Sequence, residues 1–479
     1  MSDFDDLARR AFAAAHSLSG SARRLLDRRV RLGVTGLSRA GKTVFTTALI
    51  HDLMHAARLP GFDAALDGQV HRARLVPQPD VTVPRFPFEE HLHLLCRERK
   101  WPRSTDRISE IRLEMEIASP SSWFAPAYLN LDIVDYPGEW LLDLMLLGQD
   151  FRVWSHDVLD SARLPARAAL AAPWLAALAT VDNAAPADEA EAARLCEAFK
   201  DYLRGLRSGA EAVATTPPGR FLMPGDLAGS PALTFLPLDI GADEAIVEGS
   251  FAALMRDRFD AYKEHVVKPF FLDHFRKIDR QIVLVDVLAA LDGGAPALVE
   301  LEKALDNVLL AFRIGKNSLL SRLFAPRADK VLFAAAKADH LHHESHDRLN
   351  AVLRLLVSRA IRRNEAAGAA VGTLALASVR ATREQTVKAD GVKTVSGVLE
   401  AGEVFADKTF DGETETMIFP GEIPKNPEDV FRGRILPGGL RFPRFRPPAF
   451  DAALPLDALA LPHIRLDSAV KFLLGDHFA

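Results

Sequence analysis

A glycine-rich turn near the start of the chain carries the residue types that hold a phosphate chain. Residues 36–43 read GLSRAGKT and match the pattern G-x-x-x-x-G-K-[ST]. Gly36 and Gly41 let the backbone turn through conformations that a Cβ atom would forbid, so the loop N–H groups can point at phosphate oxygens. Lys42 can reach the β and γ phosphates, and the Thr43 hydroxyl can ligate Mg²⁺. The turn predicts a nucleoside triphosphate site, although the pattern does not specify the base.

The segments on either side of this turn have the order that such a loop requires. Residues 30–35 form a short apolar, β-prone run, and from Val44 onward apolar residues recur at helical spacing. A helix that follows the loop directly adds its N-terminal N–H groups to the anion site. We therefore expect the nucleotide to contact Gly36, Ser38, Arg39, Ala40, Gly41, Lys42, Thr43 and Val44.

A carboxylate that could take part in the same site follows a buried strand predicted at residues 128–134. That strand leads into the sequence DYPG at residues 135–138. Asp135 at the carboxyl end of the strand is the expected second anchor for Mg²⁺, usually through water. Gly138 leaves room for its backbone N–H to approach the γ-phosphate. Residues 108–117 alternate between apolar and charged types, which predicts a half-exposed strand paired antiparallel to residues 128–134.

Three later apolar runs predict the rest of the sheet. Residues 281–288, 331–336 and 372–377 have the continuous apolar profile of central parallel strands, and helical stretches separate them. The second run leads into AKAD at residues 336–339, and the third leads into SVR at residues 378–380. Strands that alternate with helices predict an α/β P-loop fold with a mostly parallel sheet, one antiparallel strand, and ligand loops at the carboxyl ends of the strands.

The sequence predicts five regions. They are an N-terminal helical segment at 1–28, a P-loop core at 29–139 and 279–382, a switch or insert region at 58–104 within that core, an inserted helical subdomain at 140–278, and a C-terminal part at 383–479 that holds a hairpin, a Pro/Arg-rich strap and a terminal helix. Interleaved basic and aromatic residues in the strap are also found in nucleic-acid binders. Its prolines favour an extended segment that lies across the protein surface.

Composition narrows the class of protein. The 479 residues are 48% hydrophobic and 26% charged, as in ordinary globular proteins, and the net charge of −5 gives no support for nucleic-acid binding. With only Cys96 and Cys196, no disulfide framework is expected, which suits a reducing cytosol. We expect a cytoplasmic protein with no leader peptide and no membrane-spanning helix. The apolar stripe and arginines of the N-terminal segment are compatible either with docking on an acidic membrane surface or with packing on its own domain.

The order of the motifs GLSRAGKT, DYPG, AKAD and ASVRA resembles that of the guanine-nucleotide branch of P-loop proteins. The resemblance implies that Thr105, just before the antiparallel strand, closes on Mg²⁺ and the γ-phosphate. It also implies that Asp339 accepts two hydrogen bonds from guanine, that the Lys337 stem lies against the ring, and that Val379 gives its backbone N–H to the guanine oxygen. The remaining residues expected at this base site are His340, Ser378 and Arg380.

Three positions qualify that resemblance. Ala336 replaces the usual Asn or Thr, which removes a hydrogen bond that braces the loop and loosens base selectivity. Glu139 occupies the place of the water-orienting Gln of small GTPases, where its carboxylate would be repelled by the γ-phosphate. Arg39 is similar to the P-loop arginine of guanylate-binding proteins and atlastins. That similarity implies an internal arginine finger set by dimerisation through the nucleotide face; the alternative is a solvated loop arginine.

Over nearly its full length the chain resembles the YcjX-type stress-protein family of bacterial P-loop NTPases, most specifically in the stretch LDIVDYPGEWLLDL. The resemblance implies a cytoplasmic protein, or one peripheral at the inner membrane, that binds GTP and GDP with Mg²⁺ and hydrolyses GTP slowly. It also implies a link to envelope stress and a membrane-bound protein partner. An ATPase, a small-molecule kinase and a nucleotide-binding module without turnover remain the alternatives; AKAD argues against the kinase.

Overall fold

The computed structural model describes residues 28–36, 40–55, 58–103, 107–118, 127–208, 218–241, 243–311, 328–358, 370–387, 392–432 and 440–478. The helix predicted within residues 1–28 lies outside these ranges, apart from Arg28, which begins the first strand. Among the described helices, none combines the length and the apolar character needed to cross a membrane.

A seven-stranded sheet in the order β2-β3-β4-β1-β5-β6-β7 forms the centre of the molecule. Its strands are β1 (Arg28–Gly36), β2 (Val70–Val76), β3 (Ser109–Ile117), β4 (Ala127–Asp135), β5 (Arg280–Val285), β6 (Lys330–Ala335) and β7 (Ala370–Ala375). β1 pairs in parallel with β4 and β5, and the parallel pairing continues through β6 to β7. β3 runs antiparallel to both β2 and β4. The predicted α/β fold with one antiparallel strand is confirmed.

Strand β2 is an element that the sequence did not reveal. It reads VHRARLV and lies at the edge of the sheet, where much of it is exposed. Its charged residues interrupt the apolar alternation that marks a half-buried strand, and charges are common on exposed edge strands. The region 58–104 therefore holds a strand as well as the short helices and loop expected from its sequence.

Helices cover both faces of the sheet. The helices on the core are α1 (Lys42–Met54), α2 (Asp63–Leu66) and α3 (Phe88–Cys96), and those of the stretch after β4 are α4 (Glu139–Asp143), α5 (Phe151–Ala162), α6 (Pro165–Leu178), α7 (Glu189–Ser208), α8 (Phe251–Tyr262) and α9 (Lys268–Asp273). Three more follow β5 and β6: α10 (Val287–Asp292), α11 (Gly294–Ala311) and α12 (His346–Leu356). α1 and α3 share one hydrophobic cluster with one face of the sheet, and the helices after β4 share a second cluster with the other face.

The stretch between β4 and β5 is helical, as predicted, although its division from the core as a subdomain stays a prediction. Stacked aromatic rings fill its interior; Trp154 lies 5.0 Å from Phe259 between ring centroids. The buried carboxyl of Asp143 accepts hydrogen bonds from the Gly219 N–H and the Tyr262 hydroxyl, each at 2.6 Å. Burial raises the pKa of Asp143 to about 6. These contacts tie the start of the stretch to its later turns.

The C-terminal part forms a small sheet and an extended segment. Its elements are β8 (Arg383–Thr386), β9 (Lys393–Val398), β10 (Val404–Phe405), β11 (Lys408–Thr409), β12 (Glu415–Ile418) and α13 (Leu466–Leu474). β8 and β9 pair antiparallel, which is the pairing that the predicted hairpin requires, and residues 388–391 between them lie outside the described residues. The strap, which is the extended segment predicted at residues 420–456, is anchored by buried apolar side chains such as Ile423 and Leu440, which join the hydrophobic cluster of the helices after β4. The strap is therefore part of the core packing as well as of the surface.

One carboxyl group inside α1 makes the stability of this fold depend on pH. Asp52 is completely buried, and neither of its oxygens has a hydrogen-bond partner among the described residues. Burial raises the pKa of Asp52 to about 8, and the charge of Arg58 opposes that shift only in part. The folded protein therefore keeps this carboxyl protonated at pH values where the unfolded chain ionises it.

We expect Asp52→Asn to flatten the dependence of stability on pH. The carboxyl ionises near its ordinary pKa of 3.8 in the unfolded chain and near 8 in the folded protein. Wild-type stability is therefore lost as pH rises from about 4 to about 8, by up to ~1.4 kcal/mol per pH unit. Asparagine keeps the shape of the neutral acid and cannot ionise. Urea unfolding at several pH values measures the difference.

The matched control is Asp63→Asn, which changes a carboxylate whose side chain is 65% exposed. This variant should keep the wild-type dependence of the free energy of unfolding on pH. A wild-type slope in Asp52→Asn would contradict the prediction.

Candidate functional site

The loops that follow β1, β6 and β7 surround a cavity of 260 Å³. It brings together ten of the residues predicted to bind nucleotide: Ala40, Gly41, Lys42, Thr43, Val44, Lys337, Asp339, His340, Ser378 and Val379. The predicted Ser38, Arg39 and Thr105 lie outside the described residues. The motifs that were 300 residues apart in the chain thus meet at the carboxyl edge of the sheet, as parallel strands require.

The phosphate loop reaches its shape through two glycines with different roles. Gly41 has φ 83°, a left-handed conformation that favours glycine, and it caps the N-terminus of α1. Gly36 has no such conformation. A Cβ there would stand 2.3 Å from the carbonyl oxygen of Leu284 in β5. Glycine at 36 is therefore required by the close approach of two strands, which corrects the expectation that both glycines serve the turn by their dihedral angles.

Lys42 is buried and its ammonium group donates to the carbonyl of Gly36 at 2.8 Å. The lysine therefore folds back across the loop that it helps to form. A cation held over N–H groups at a helix N-terminus is suited to a polyphosphate, because both supply positive charge at one point.

The residues predicted for Mg²⁺ provide the donor set that this ion prefers. Thr43 lies in the first turn of α1, and its hydroxyl donates to the carbonyl of Arg103 at 3.3 Å. Asp135 is buried at the end of β4, where it stands beside Val34 of β1 in the sheet register. A hydroxyl in the first turn of α1 and a carboxylate at the end of β4 are oxygen donors of the type that binds Mg²⁺ together with phosphate and water. The residues present therefore fit the ion.

The end of the cavity that is predicted to hold the base is built around Asp339. Its side chain is 4% exposed, and one carboxylate oxygen accepts the backbone N–H of Ala381 at 2.8 Å. The hydroxyl of Thr382 donates to the Asp339 carbonyl. These bonds fix the carboxylate against the loop after β7, so that the turn after β6 and the turn after β7 form one surface.

Lys337 lies beside Asp339 with φ 61°, a left-handed conformation that is unusual outside glycine. Its ammonium group bonds the carboxylate of Asp286 at 2.5 Å. Asp286 follows β5 and also caps α10, accepting the N–H of Ala289 at 3.0 Å. This carboxylate holds the lysine at the cavity, and it was missed in the sequence, although its place after a central parallel strand is the signal that marks such residues.

Several predicted site residues do not line the cavity. Asp135 and Gly138 are not among its lining residues. The guanidinium of Arg380 turns to the Thr382 carbonyl at 3.0 Å and to Glu384 at 3.3 Å. Glu139 is buried, and its carboxylate has no hydrogen-bond partner among the described residues. Their assigned roles toward nucleotide stay predictions.

The histidines after Asp339 have structural contacts. The half-buried His340 ring packs on Phe445, and His346 is buried with its ring nitrogen against the Leu341 carbonyl at 3.3 Å. Burial lowers the pKa of both rings. His343 contacts Glu384 at 2.5 Å. The loop after β6 is therefore braced by the packed, neutral imidazoles of His340 and His346.

Five residues that the sequence did not single out complete the cavity wall: Trp101, Pro102, Glu400, Arg444 and Phe445. Trp101 donates its indole N–H to the carbonyl of Phe445 at 2.6 Å, a contact between residues 344 positions apart. No local pattern could have placed these residues together. The interleaved basic and aromatic residues of the strap were the available signal, and they proved to belong to this wall.

Comparison with known proteins gives a consistent result. A relative from Escherichia coli (strain K12), named Ras-like GTPase YcjX, is 37% identical over 476 residues, which cover 96% of this chain and 98% of the relative. A second, from Shewanella oneidensis and also named Ras-like GTPase YcjX, is 33% identical over 478 residues, with 95% of each chain covered. The family model described as "YcjX-like family, DUF463" matches residues 30–478. Because the family model and both relatives match it over nearly its full length, the chain belongs to the YcjX-like family.

Proposed function

We propose that this protein binds GTP and GDP with Mg²⁺, hydrolyses GTP to GDP and phosphate, and acts as a molecular switch. The observation that carries the proposal is that one cavity joins the phosphate loop to the Asp339 turn. Asp339 presents a buried carboxylate, which accepts from the N–H and amino groups of guanine; adenine has no such pair of donors on that edge. Both relatives are named as Ras-like GTPases, which agrees with guanine as the base.

The residues divide the chemistry of γ-phosphoryl transfer to water among them. The loop N–H groups and Lys42 bind the phosphate oxygens and stabilise the charge that develops during transfer. Thr43 and, through water, Asp135 would hold Mg²⁺, which when bound neutralises the β and γ phosphate oxygens. Arg39, as an internal finger set by a second copy of the chain, would add positive charge at the same point.

The γ-phosphate would be sensed by Thr105 and by the N–H of Gly138. Loops that close on the γ-phosphate order with GTP and relax with GDP, which is the basis of a switch. The stress-related role and a membrane-bound partner are part of this proposal by resemblance to the family.

One observation favours a second candidate function, nucleotide binding without turnover. Glu139 stands where a water-orienting side chain would be expected, yet it is buried and does not line the cavity. Release of phosphate from GTP in a single-turnover experiment separates the two functions: a hydrolysing switch releases phosphate, whereas a binding module retains GTP.

Calorimetric titration of nucleotide-free protein with GTP, GDP and ATP in the presence of Mg²⁺ tests the choice of base. We expect both guanine nucleotides to bind and ATP to bind at least ~10-fold more weakly, because a base that cannot pair with Asp339 leaves a buried carboxylate unsatisfied. Equal affinities for GTP and ATP would instead indicate a general NTPase, with Ala336 as the reason.

Lys42→Ala should weaken binding of GTP by about 100-fold, since it removes charge-assisted hydrogen bonds to two phosphates. The control is Lys471→Ala, which removes an exposed lysine that pairs with Asp63 away from the cavity. Unchanged GTP affinity in the Lys42 variant would show that the phosphate site lies elsewhere.

Asp339→Asn should weaken GDP binding by about 10- to 100-fold and improve binding of xanthosine diphosphate. The amide supplies a donor to the second carbonyl of xanthine, whereas guanine has an amino group there. Competition between the two nucleotides measures the exchange of preference. Asp347→Asn, at an 85% exposed side chain, is the control. Wild-type preference in the Asp339 variant would place the base elsewhere.

A further inference from the structure

The C-terminal part of the chain supplies one wall of the nucleotide cavity. Glu400 follows β9, and Arg444 and Phe445 lie on the extended segment that pairs with it. The Glu400 N–H donates to the Arg444 carbonyl at 2.8 Å, and the Arg446 N–H donates to the Val398 carbonyl at 2.7 Å. Two backbone hydrogen bonds on either side of Phe445 thus fix the segment beside the cavity.

Phe445 braces the turn that carries Asp339. Its buried ring meets the ring of His340 edge to face, with centroids 5.1 Å apart and planes at 89°. A Cβ at position 397 would lie 2.8 Å from the Phe445 ring, so Gly397 leaves the space that the ring needs. The phenylalanine therefore occupies a built socket between β9 and the base-binding turn.

The same C-terminal part holds the other base-binding turn. Ala377 and Ile464 exchange backbone hydrogen bonds of 3.0 and 2.8 Å, and the Arg380 N–H donates to the Pro462 carbonyl at 2.6 Å. Both turns that face the base are thus fastened to residues more than 60 positions further along the chain. The position of the C-terminal part therefore sets the position of both turns to which the base would bind.

Arg444 stands at the mouth of the cavity between carboxylates. Its guanidinium contacts Glu400 at 3.4 Å and Glu403 at 2.9 Å, and its side chain remains 70% exposed. A guanidinium carries five N–H donors in a planar fork, which is more than these two contacts use. The group can therefore keep one carboxylate and still donate to a ligand.

We propose that Arg444 is a further nucleotide-binding residue, which donates to the N7 edge of guanine or to the ribose 2′ oxygen, and that Phe445 is a positioning residue for the Asp339 turn. The inference rests on the proposed function. Guanine presents two acceptors, N7 and O6, on the edge opposite its N–H groups, whereas adenine replaces O6 by an amino donor. A guanidinium there favours guanine and supplies a polar contact that Ala336 cannot make.

The test compares GDP binding to full-length wild-type protein, Arg444→Ala, Arg444→Lys and Arg432→Ala by calorimetry. Arg432 is a matched control, because it is a 54% exposed arginine that pairs with Glu428 away from the cavity. We expect Arg444→Ala to bind GDP about 10-fold more weakly, as for loss of one charge-assisted hydrogen bond, with Arg444→Lys between it and wild type. Arg432→Ala should stay within about twofold of wild type.

Two analogues locate the contact. The ratio of wild-type affinity to Arg444→Ala affinity is measured for each analogue. If this ratio is smaller for 7-deaza-GDP than for GDP, the arginine contacts the base. If it is smaller for 2′-deoxy-GDP, the arginine contacts the ribose. A ratio within about twofold for GDP, or an unchanged ratio with both analogues, would overturn the assignment of Arg444. Equal thermal unfolding midpoints for the two proteins exclude a general loss of fold.

Phe445→Leu keeps an apolar side chain in the socket and tests the positioning role. We expect it to lower GDP affinity and to reduce the preference for GDP over ADP, since the Asp339 turn loses its brace. Wild-type preference in this variant would overturn that role. This inference fails and the proposed function stands if the Arg444 and Phe445 variants match wild type while Lys42→Ala binds GDP far more weakly than wild type does. If wild-type protein does not bind GDP, the proposed function itself fails.

Discussion

The nucleotide cavity depends on the parallel pairing of β1 with both of its neighbours. In the sheet register Val34 of β1 stands beside Asp135 of β4 and Ile282 of β5, so the turns after these strands begin at one edge. A β1 strand in the opposite direction would separate Lys42 from Asp135 by the length of the strand. Burial makes that arrangement hard to change, because the central strands pack apolar side chains into a hydrophobic cluster on each face of the sheet.

The parallel pairing also imposes its own local demands. The approach of β5 to the end of β1 leaves no room for a side chain at Gly36, and the turn into α1 needs the left-handed conformation of Gly41. Lys42 and Lys337 each have a partner within the chain: Lys42 donates to the Gly36 carbonyl, and Lys337 donates to the carboxylate of Asp286. The cavity is thus lined by paired charges and dipoles, arranged so that an anion or a base can join contacts that are already in place.

What the sequence could predict was local, and what it could not predict was long-range. The phosphate loop, the end of β4 and the Asp339 turn each follow an apolar strand directly, so residue type and order were sufficient to find them. Strand β2 was missed because an exposed edge strand carries no apolar alternation. The wall at Trp101 and Phe445 was missed because its contact spans 344 positions, and nothing in either segment specifies the other.

The missed wall explains how events at the phosphates would reach the rest of the chain. Thr43 donates its hydroxyl to the Arg103 carbonyl, and coordination of a cation by that hydroxyl would make it a stronger donor. The segment before Arg103 is fastened to the strap in turn, because Trp101 donates to the Phe445 carbonyl and Arg99 donates to the Pro447 carbonyl at 3.2 Å.

A second route runs from the other side of the phosphates into the helical stretch. A Cβ at Gly219 would lie 2.3 Å from the Glu139 carbonyl, so this backbone packs directly on the residue after Gly138. The Gly219 N–H also donates to the carboxylate of Asp143, which lies one helical turn after Glu139 in α4. Rigid contacts of this kind transmit a small displacement, because close-packed segments cannot absorb it locally. Under the proposed function, a change at the γ-phosphate would therefore displace both the strap and the helices between β4 and β5.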